Sequence, residues 1–187
     1  VIGYDEALSR PLNLSMERGQ KIALYGANGI GKTTLLRSIL GEIPAISGSV
    51  QLGEHLHIGY FEQEIKTEKD KTCMDEVWDE FPHFTQYEVR AALAKCGLTT
   101  KHIESKVQVL SGGEKAKVRL CKLINNESNL LVLDEPTNHL DPDAKAELKR
   151  ALDEYKGSVL LISHEPDFYE GIVTDKWNCE DWTTKVF

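Results

Sequence analysis

The nine residues Gly26-Ala27-Asn28-Gly29-Ile30-Gly31-Lys32-Thr33-Thr34 constrain the fold more than any other stretch of the chain. They follow the apolar run Ile22-Ala23-Leu24-Tyr25 and precede Leu35-Leu36-Arg37-Ser38-Ile39-Leu40. The pattern G-x-x-x-x-G-K-[ST] falls on Gly26, Gly31, Lys32 and Thr33. Glycines let successive backbone N–H groups turn inward around a phosphate. A helix that starts there points its positive end at the same place. Lys32 adds a charge near the outer phosphates, and the Thr33 hydroxyl can coordinate Mg²⁺. The competing reading is a chance glycine-rich turn, which would need neither the strand before it nor the helix after it.

The remainder alternates short apolar runs with helical patterns, which predicts an α/β fold built on a mainly parallel sheet. Strands are expected at 21–25, 49–52, 56–61, 130–133 and 159–162. A helix is expected over 32–40, closed by Gly41. From Cys73 to about Lys106 the pattern is helical. Thr85 with Glu88, and Ser111 with Glu114, each read as a capping box. Asp141-Pro142 opens a helix whose inner face carries Ala144, Leu148, Ala151, Leu152 and Tyr155, with Gly157 as its stop. At 187 residues the chain fits one domain with a subdomain. The net charge of -8 argues against a broad grip on a nucleic-acid backbone and leaves a local basic patch open. The longest apolar runs, 130–133 and 159–162, are far too short to span a bilayer. No signal peptide is visible, and a chain that begins at Val1 reads as a piece of something longer. The four cysteines share no metal-type spacing and read as reduced thiols of a cytosolic protein. His55 and His57 would share one strand face, which reads more readily as a solvated edge than as a metal site.

Two further stretches carry chemistry. Leu130-Leu131-Val132-Leu133-Asp134-Glu135 is a buried strand that ends in two carboxylates. Asp134 suits the second shell of Mg²⁺ opposite Thr33. Glu135 could hold an attacking water as general base. Taken alone, an acidic strand end facing solvent is the bland alternative. Leu110-Ser111-Gly112-Gly113-Glu114 places two glycines in the first turn of a helix, at a cost to that helix. They leave its first amides uncovered for a second anion. An ordinary capped helix explains Ser111 and Glu114 but not the paired glycines.

Residues 26–33, Gln63, 110–114, 131–135, Asp141 and His164, in that order, resemble the ATP-binding cassette (ABC) ATPases. The likeness covers nearly the whole chain. It implies a P-loop NTPase core, RecA-like, at about 1–63 and 129–187, with an inserted helical subdomain at about 64–128. It implies ATP and Mg²⁺ as cofactors, with Lys32, Gln63, Glu135 and His164 as the catalytic set. Gln63 would sense Mg²⁺ and the water, and His164 would contact the γ-phosphate. Tyr4 looks like the aromatic that stacks on adenine, although a core or surface tyrosine explains it as well. Ser111, Gly112, Gly113 and Glu114 would serve the nucleotide of a partner cassette, and Asp141 would belong to the loop that crosses between paired domains. One P-loop and one signature make half of an ATP sandwich, so a second cassette is an expected partner.

Residues 134–141, Asp-Glu-Pro-Thr-Asn-His-Leu-Asp, look like the ABC-F branch of soluble tandem-cassette proteins that act on ribosomes. Gly59-Tyr60-Phe61-Glu62-Gln63-Glu64 and Ser163-His164-Glu165-Pro166-Asp167-Phe168 resemble it too. The 47 residues between Gln63 and Ser111 leave no room for the coiled coil of the chromosome-maintenance ATPases. The stretch 177–187 looks like the end of the second cassette. The likeness therefore implies a cytoplasmic C-terminal cassette that hydrolyses ATP as a conformational switch, with the ribosome as target, in translation or ribosome protection. The alternatives are the ATPase subunit of a membrane transporter and a module that uses ATP only to dimerise.

Overall fold

The computed structural model describes residues 1–61 and 70–184. The chain divides into two compact units. The first comprises residues 1–58, 128–135 and 156–187, and the second residues 59–127 and 136–155.

The first unit is built on parallel strands. β1 (Lys21–Tyr25) lies between β4 (Ser158–Ile162) and β5 (Asp175–Asn178), and β4 also pairs with β3 (Leu130–Asp134). β2 (Ile58–Phe61) completes the order β2-β3-β4-β1-β5. Every residue of β3 and β4 is buried, as unbroken apolar runs require in a sheet covered on both faces. α1 (Lys32–Ile39) follows β1 directly and buries Leu35 and Leu36; Gly41, at φ 78°, lies just past its end. α7 (Pro166–Tyr169) buries Phe168 and Tyr169. Leu161 is fully buried in β4. Leu161→Ala is expected to cost about 2–5 kcal/mol of stability, because it leaves a cavity in a close-packed sheet core. Denaturant titration checks this, and a loss under about 1 kcal/mol would mean that the site collapses around the smaller side chain.

The strand expected at 49–52 is not formed. Val50 and Leu52 are exposed, and residues 49–52 pair with no strand among the described residues. Alternating residues make a strand only where a neighbour takes their backbone groups. β2 likewise starts at Ile58 rather than at 56. His55 takes a left-handed turn at φ 57°, so His55 and His57 do not share a strand face.

The second unit is helical. It holds α2 (Cys73–Trp78), α3 (Gln86–Lys95), α4 (Thr100–Glu104), α5 (Gly112–Asn125) and α6 (Pro142–Glu154). Four capping boxes start its helices: Thr72 with Asp75, Thr85 with Glu88, Thr99 with His102, and Ser111 with Glu114. Asp141 caps α6 through Ala144, with Pro142 at the first helical position. α6 ends at Glu154, where Tyr155 turns to an extended conformation, so Gly157 is not its stop. Val77, Val89, Leu93, Ile103, Leu120 and Leu148 form the buried centre. No helix among the described residues is long and apolar enough to cross a membrane.

Candidate nucleotide site

The loop between β1 and α1 bends through three glycines at positive φ: Gly26 at 141°, Gly29 at 74° and Gly31 at 114°. A side chain is strained at such angles. A Cβ on Gly26 would also lie 3.1 Å from the Cβ of Cys179. Gly31 is the N-cap of α1, no side chain caps it, and the first turn holds no acidic residue. The leading amides of α1 are therefore not claimed by a capping side chain, the arrangement that favours an anion. Ile30 is fully buried and anchors the loop, whereas Asn28, Gly29 and Thr33 are exposed. Ala27 is half-buried and Thr34 is buried.

Lys32 is only 7% exposed, and its Nζ donates to the carbonyls of Gly26 (2.8 Å) and Ala27 (3.0 Å). The ammonium folds back across the loop it belongs to. Burial lowers its pKa, and the nearby carboxylates of Glu135 and Asp134 oppose that shift. The thiol of Cys179 is fully buried beneath the loop, and burial pushes its pKa up to about 12.

Thr33 Oγ1 donates to Asp134 Oδ2 at 2.9 Å. Asp134 ends β3 and is buried, and burial raises its pKa against the pull of the Thr33 hydrogen bond and of Lys32. Glu135 follows in a left-handed conformation, φ 49°, with its N–H donated to Ile162 O at 3.0 Å. A non-glycine residue in that region is uncommon and strained, and such strain clusters at functional sites. The bend sends the Glu135 carboxylate to His164, whose Nε2 lies 3.0 Å from Oε1. Burial raises the Glu135 pKa, and His164 and Lys32 pull it back. His164 is exposed just past β4. Parallel strands thus gather Lys32, Thr33, Asp134, Glu135 and His164 at their C-terminal ends, where open α/β sheets bind ligands.

Tyr4 is 59% exposed between the bridged residues Gly3 and Ala7. Leu8, just beyond that bridge, lies 3.7 Å from where a Cβ on Gly31 would stand. Gln63 lies outside the described residues.

In the second unit, Ser111 Oγ accepts from the Glu114 N–H (3.3 Å), and the Glu114 carboxylate accepts from the Ser111 N–H (2.8 Å). That hydrogen bond is the main reason the Glu114 pKa is lowered. The two glycines between them differ. A Cβ on Gly113 would lie 3.1 Å from the carbonyl oxygen of His139, itself left-handed at φ 66°. Gly113 therefore has a packing reason to be glycine. A Cβ on Gly112 would come no nearer than 4.0 Å to anything, so packing does not explain that residue. Asp141 Oδ1 accepts from the Ala144 N–H (2.8 Å), while Oδ2 lies 2.6 Å from Lys117 Nζ. Sequence reasoning missed Lys117, His139 and Cys179. A lysine four residues past Gly113 lies on the same helix face, which was the available signal for the first of them.

Comparison with known proteins agrees with this geometry. The family model described as ABC transporter matches residues 9–138. The ABC transporter ATP-binding protein YfmM of Bacillus subtilis (strain 168) is 78% identical over 186 residues, covering 100% of this chain and 36% of that protein. ABC transporter F family member 5 of Arabidopsis thaliana is 42% identical over 180 residues, covering 95% of this chain and 26% of that protein. The chain thus spans about a third or less of the length of these relatives. Among solved structures, a putative ABC transporter (ATP-binding protein) from Pyrococcus furiosus superposes with a TM-score of 0.81 at 23% identity, over 98% of this chain and 96% of that one. That likeness speaks to the fold, a parallel sheet with flanking helices. With the loop, the strand-end carboxylates and the matched model all in place, the chain belongs to the ABC transporter family, as an ATP-binding cassette similar to those of its F members.

Proposed function

We propose that this chain binds ATP with Mg²⁺ at residues 26–34 and hydrolyses it as one half of a paired-cassette switch. The observation that carries the reading is the 2.9 Å contact of Thr33 Oγ1 with Asp134 Oδ2, one residue from the strained Glu135. A hydroxyl and a carboxylate converging beside a phosphate cradle are the hard oxygen donors that Mg²⁺ takes, together with phosphate oxygens. The cradle fits a polyphosphate as well: its helix end is uncapped by any side chain, and its buried ammonium rests on loop carbonyls that a phosphate would outbid.

When bound, ATP supplies the scissile phosphoanhydride and Mg²⁺ neutralises its charge. Lys32 stabilises the outer phosphates. Glu135 orients the attacking water and takes its proton, helped by a pKa that burial has raised. His164, whose Nε2 lies beside Glu135, is assigned to turn its N–H to the γ-phosphate as charge develops there. Gln63 is assigned to Mg²⁺ and the water, and Tyr4, exposed on its loop, to stacking on adenine. Ser111, Gly112, Gly113 and Glu114 serve the nucleotide of a second cassette, and Asp141 the loop between them. The likeness to F-family members supports a cytoplasmic protein whose intact form acts on the ribosome. The alternative is a transporter ATPase, favoured by the family description itself.

The test of pairing is the concentration dependence of activity. Each site takes donors from residues 26–34 of one chain and 111–113 of another, so specific activity is expected to rise with protein concentration. Ser111→Arg should flatten that rise by obstructing the facing site. Brisk turnover at nanomolar concentration, independent of concentration, would overturn the paired reading. Cosedimentation with ribosomes, set against binding to membrane vesicles, separates the two cellular roles.

A further inference from the structure

We propose that Lys117 is a positioning residue that fastens the start of α5, with Ser111 and Gly112, to the loop of Asp141, so that the two surfaces offered to a partner cassette move as one body. The inference rests on the paired-cassette reading above. Its geometry lies within the second unit.

Lys117 stands four residues after Gly113, one helical turn along the same face of α5. Its Nζ lies 2.6 Å from Asp141 Oδ2, and its side chain is only 14% exposed. A lysine can bury its stem and leave its head in water, but here the head itself is held by Asp141. Gly97, at φ 84°, makes room for it, since a Cβ there would stand 3.3 Å from Nζ. Asp141 has no spare oxygen, because Oδ1 holds the N–H of Ala144. Its carboxyl sits below the usual range, chiefly through Lys117. One turn away the loop packs closely on the helix, since a Cβ on Gly113 would stand 3.1 Å from the His139 carbonyl oxygen. The Lys117–Asp141 pair ties helix to loop, and the close packing of the loop on Gly113 limits how far the two can approach or swivel. The lysine is thus placed to transmit a shift of the loop to Ser111 and Gly112.

The test uses Lys117→Met, Asp141→Asn, the pair combined, and Lys117→Arg. Asparagine keeps the acceptor that caps α6. In dilute protein, Lys117→Met is expected to raise amide hydrogen exchange roughly tenfold both at residues 114–117 and at residues 144–147, the scale of a lost charge-assisted bond. Asp141→Asn should raise the same two segments, and the combined variant should add little. The protein concentration at half-maximal specific activity should rise about tenfold in either variant, while affinity for a fluorescent ATP analogue stays within about twofold and Lys117→Arg restores pairing. Exchange that rises only in α5 would overturn the inference, as would combined effects equal to the product of the single ones. Wild-type pairing in Lys117→Met would do the same. If the exchange segments move together but no form shows concentration dependence, the linkage stands and the paired-cassette reading falls.

Discussion

Changing Glu135 to Gln is expected to leave ATP binding intact and to slow phosphate release by about 10²-fold or more. The amide keeps the size of the carboxyl but is a far weaker base. The backbone should tolerate the change, because the left-handed bend at φ 49° is held by the Glu135 N–H bond to Ile162 O and not by the side chain. The bond to His164 also survives in weakened form, since Gln still offers an oxygen to Nε2. Nucleotide affinity and phosphate release measured on both proteins separate binding from chemistry. Turnover like that of the wild type would remove Glu135 from the base role.

Lys32→Ala is expected to weaken nucleotide binding itself, by about 10- to 100-fold, the scale of one charge-assisted hydrogen bond. A second effect adds to the first. Nζ donates to the carbonyls of Gly26 and Ala27, so its loss also removes two of the bonds that keep that loop in shape before the nucleotide arrives. Titration with a fluorescent ATP analogue measures the change. Unchanged affinity would assign nearly all of the binding to backbone amides. Lys32→Arg distinguishes the two effects, because it keeps the charge while its planar fork does not suit a point contact in so buried a place.

Local chemistry made most of this site legible in advance. The loop glycines, the capping boxes at Thr85 and Ser111, and the buried runs of β3 and β4 each follow from a few adjacent residues, and each formed. Residues 49–52 failed as a strand because strand formation depends on a partner, which alternation within the segment does not reveal. The same limit hid β5, whose residues Asp175–Asn178 carry no apolar alternation and depend on β1 for their pairing. Packing constraints were equally silent. The sequence offered an uncovered helix end as the reason for both Gly112 and Gly113, whereas the His139 carbonyl constrains Gly113 and leaves Gly112 untouched. Nor could spacing reveal that Cys179 lies against Gly26, about 150 residues away in the chain.

The register of β1 has a consequence for how the chain is made. Its two neighbours, β4 and β5, come from the last third of the sequence, so Leu24 meets Ile162 across about 140 residues. On the ribosome, at about 5–20 residues per second, the strand that carries the phosphate loop waits roughly 7–30 s for its partners. Among the described residues, no strand earlier in the chain pairs with it in the finished sheet. The helices of the second unit, held by contacts closer in sequence and started by four capping boxes, have the means to form during that interval. An exposed Lys-Ile-Ala-Leu-Tyr segment is meanwhile an unpaired strand looking for an edge. Shielding residues 21–25 during that interval is therefore expected to favour folding over aggregation, and a nucleotide that needs both the loop and the end of β3 gains its full site only after Asp134 has been made.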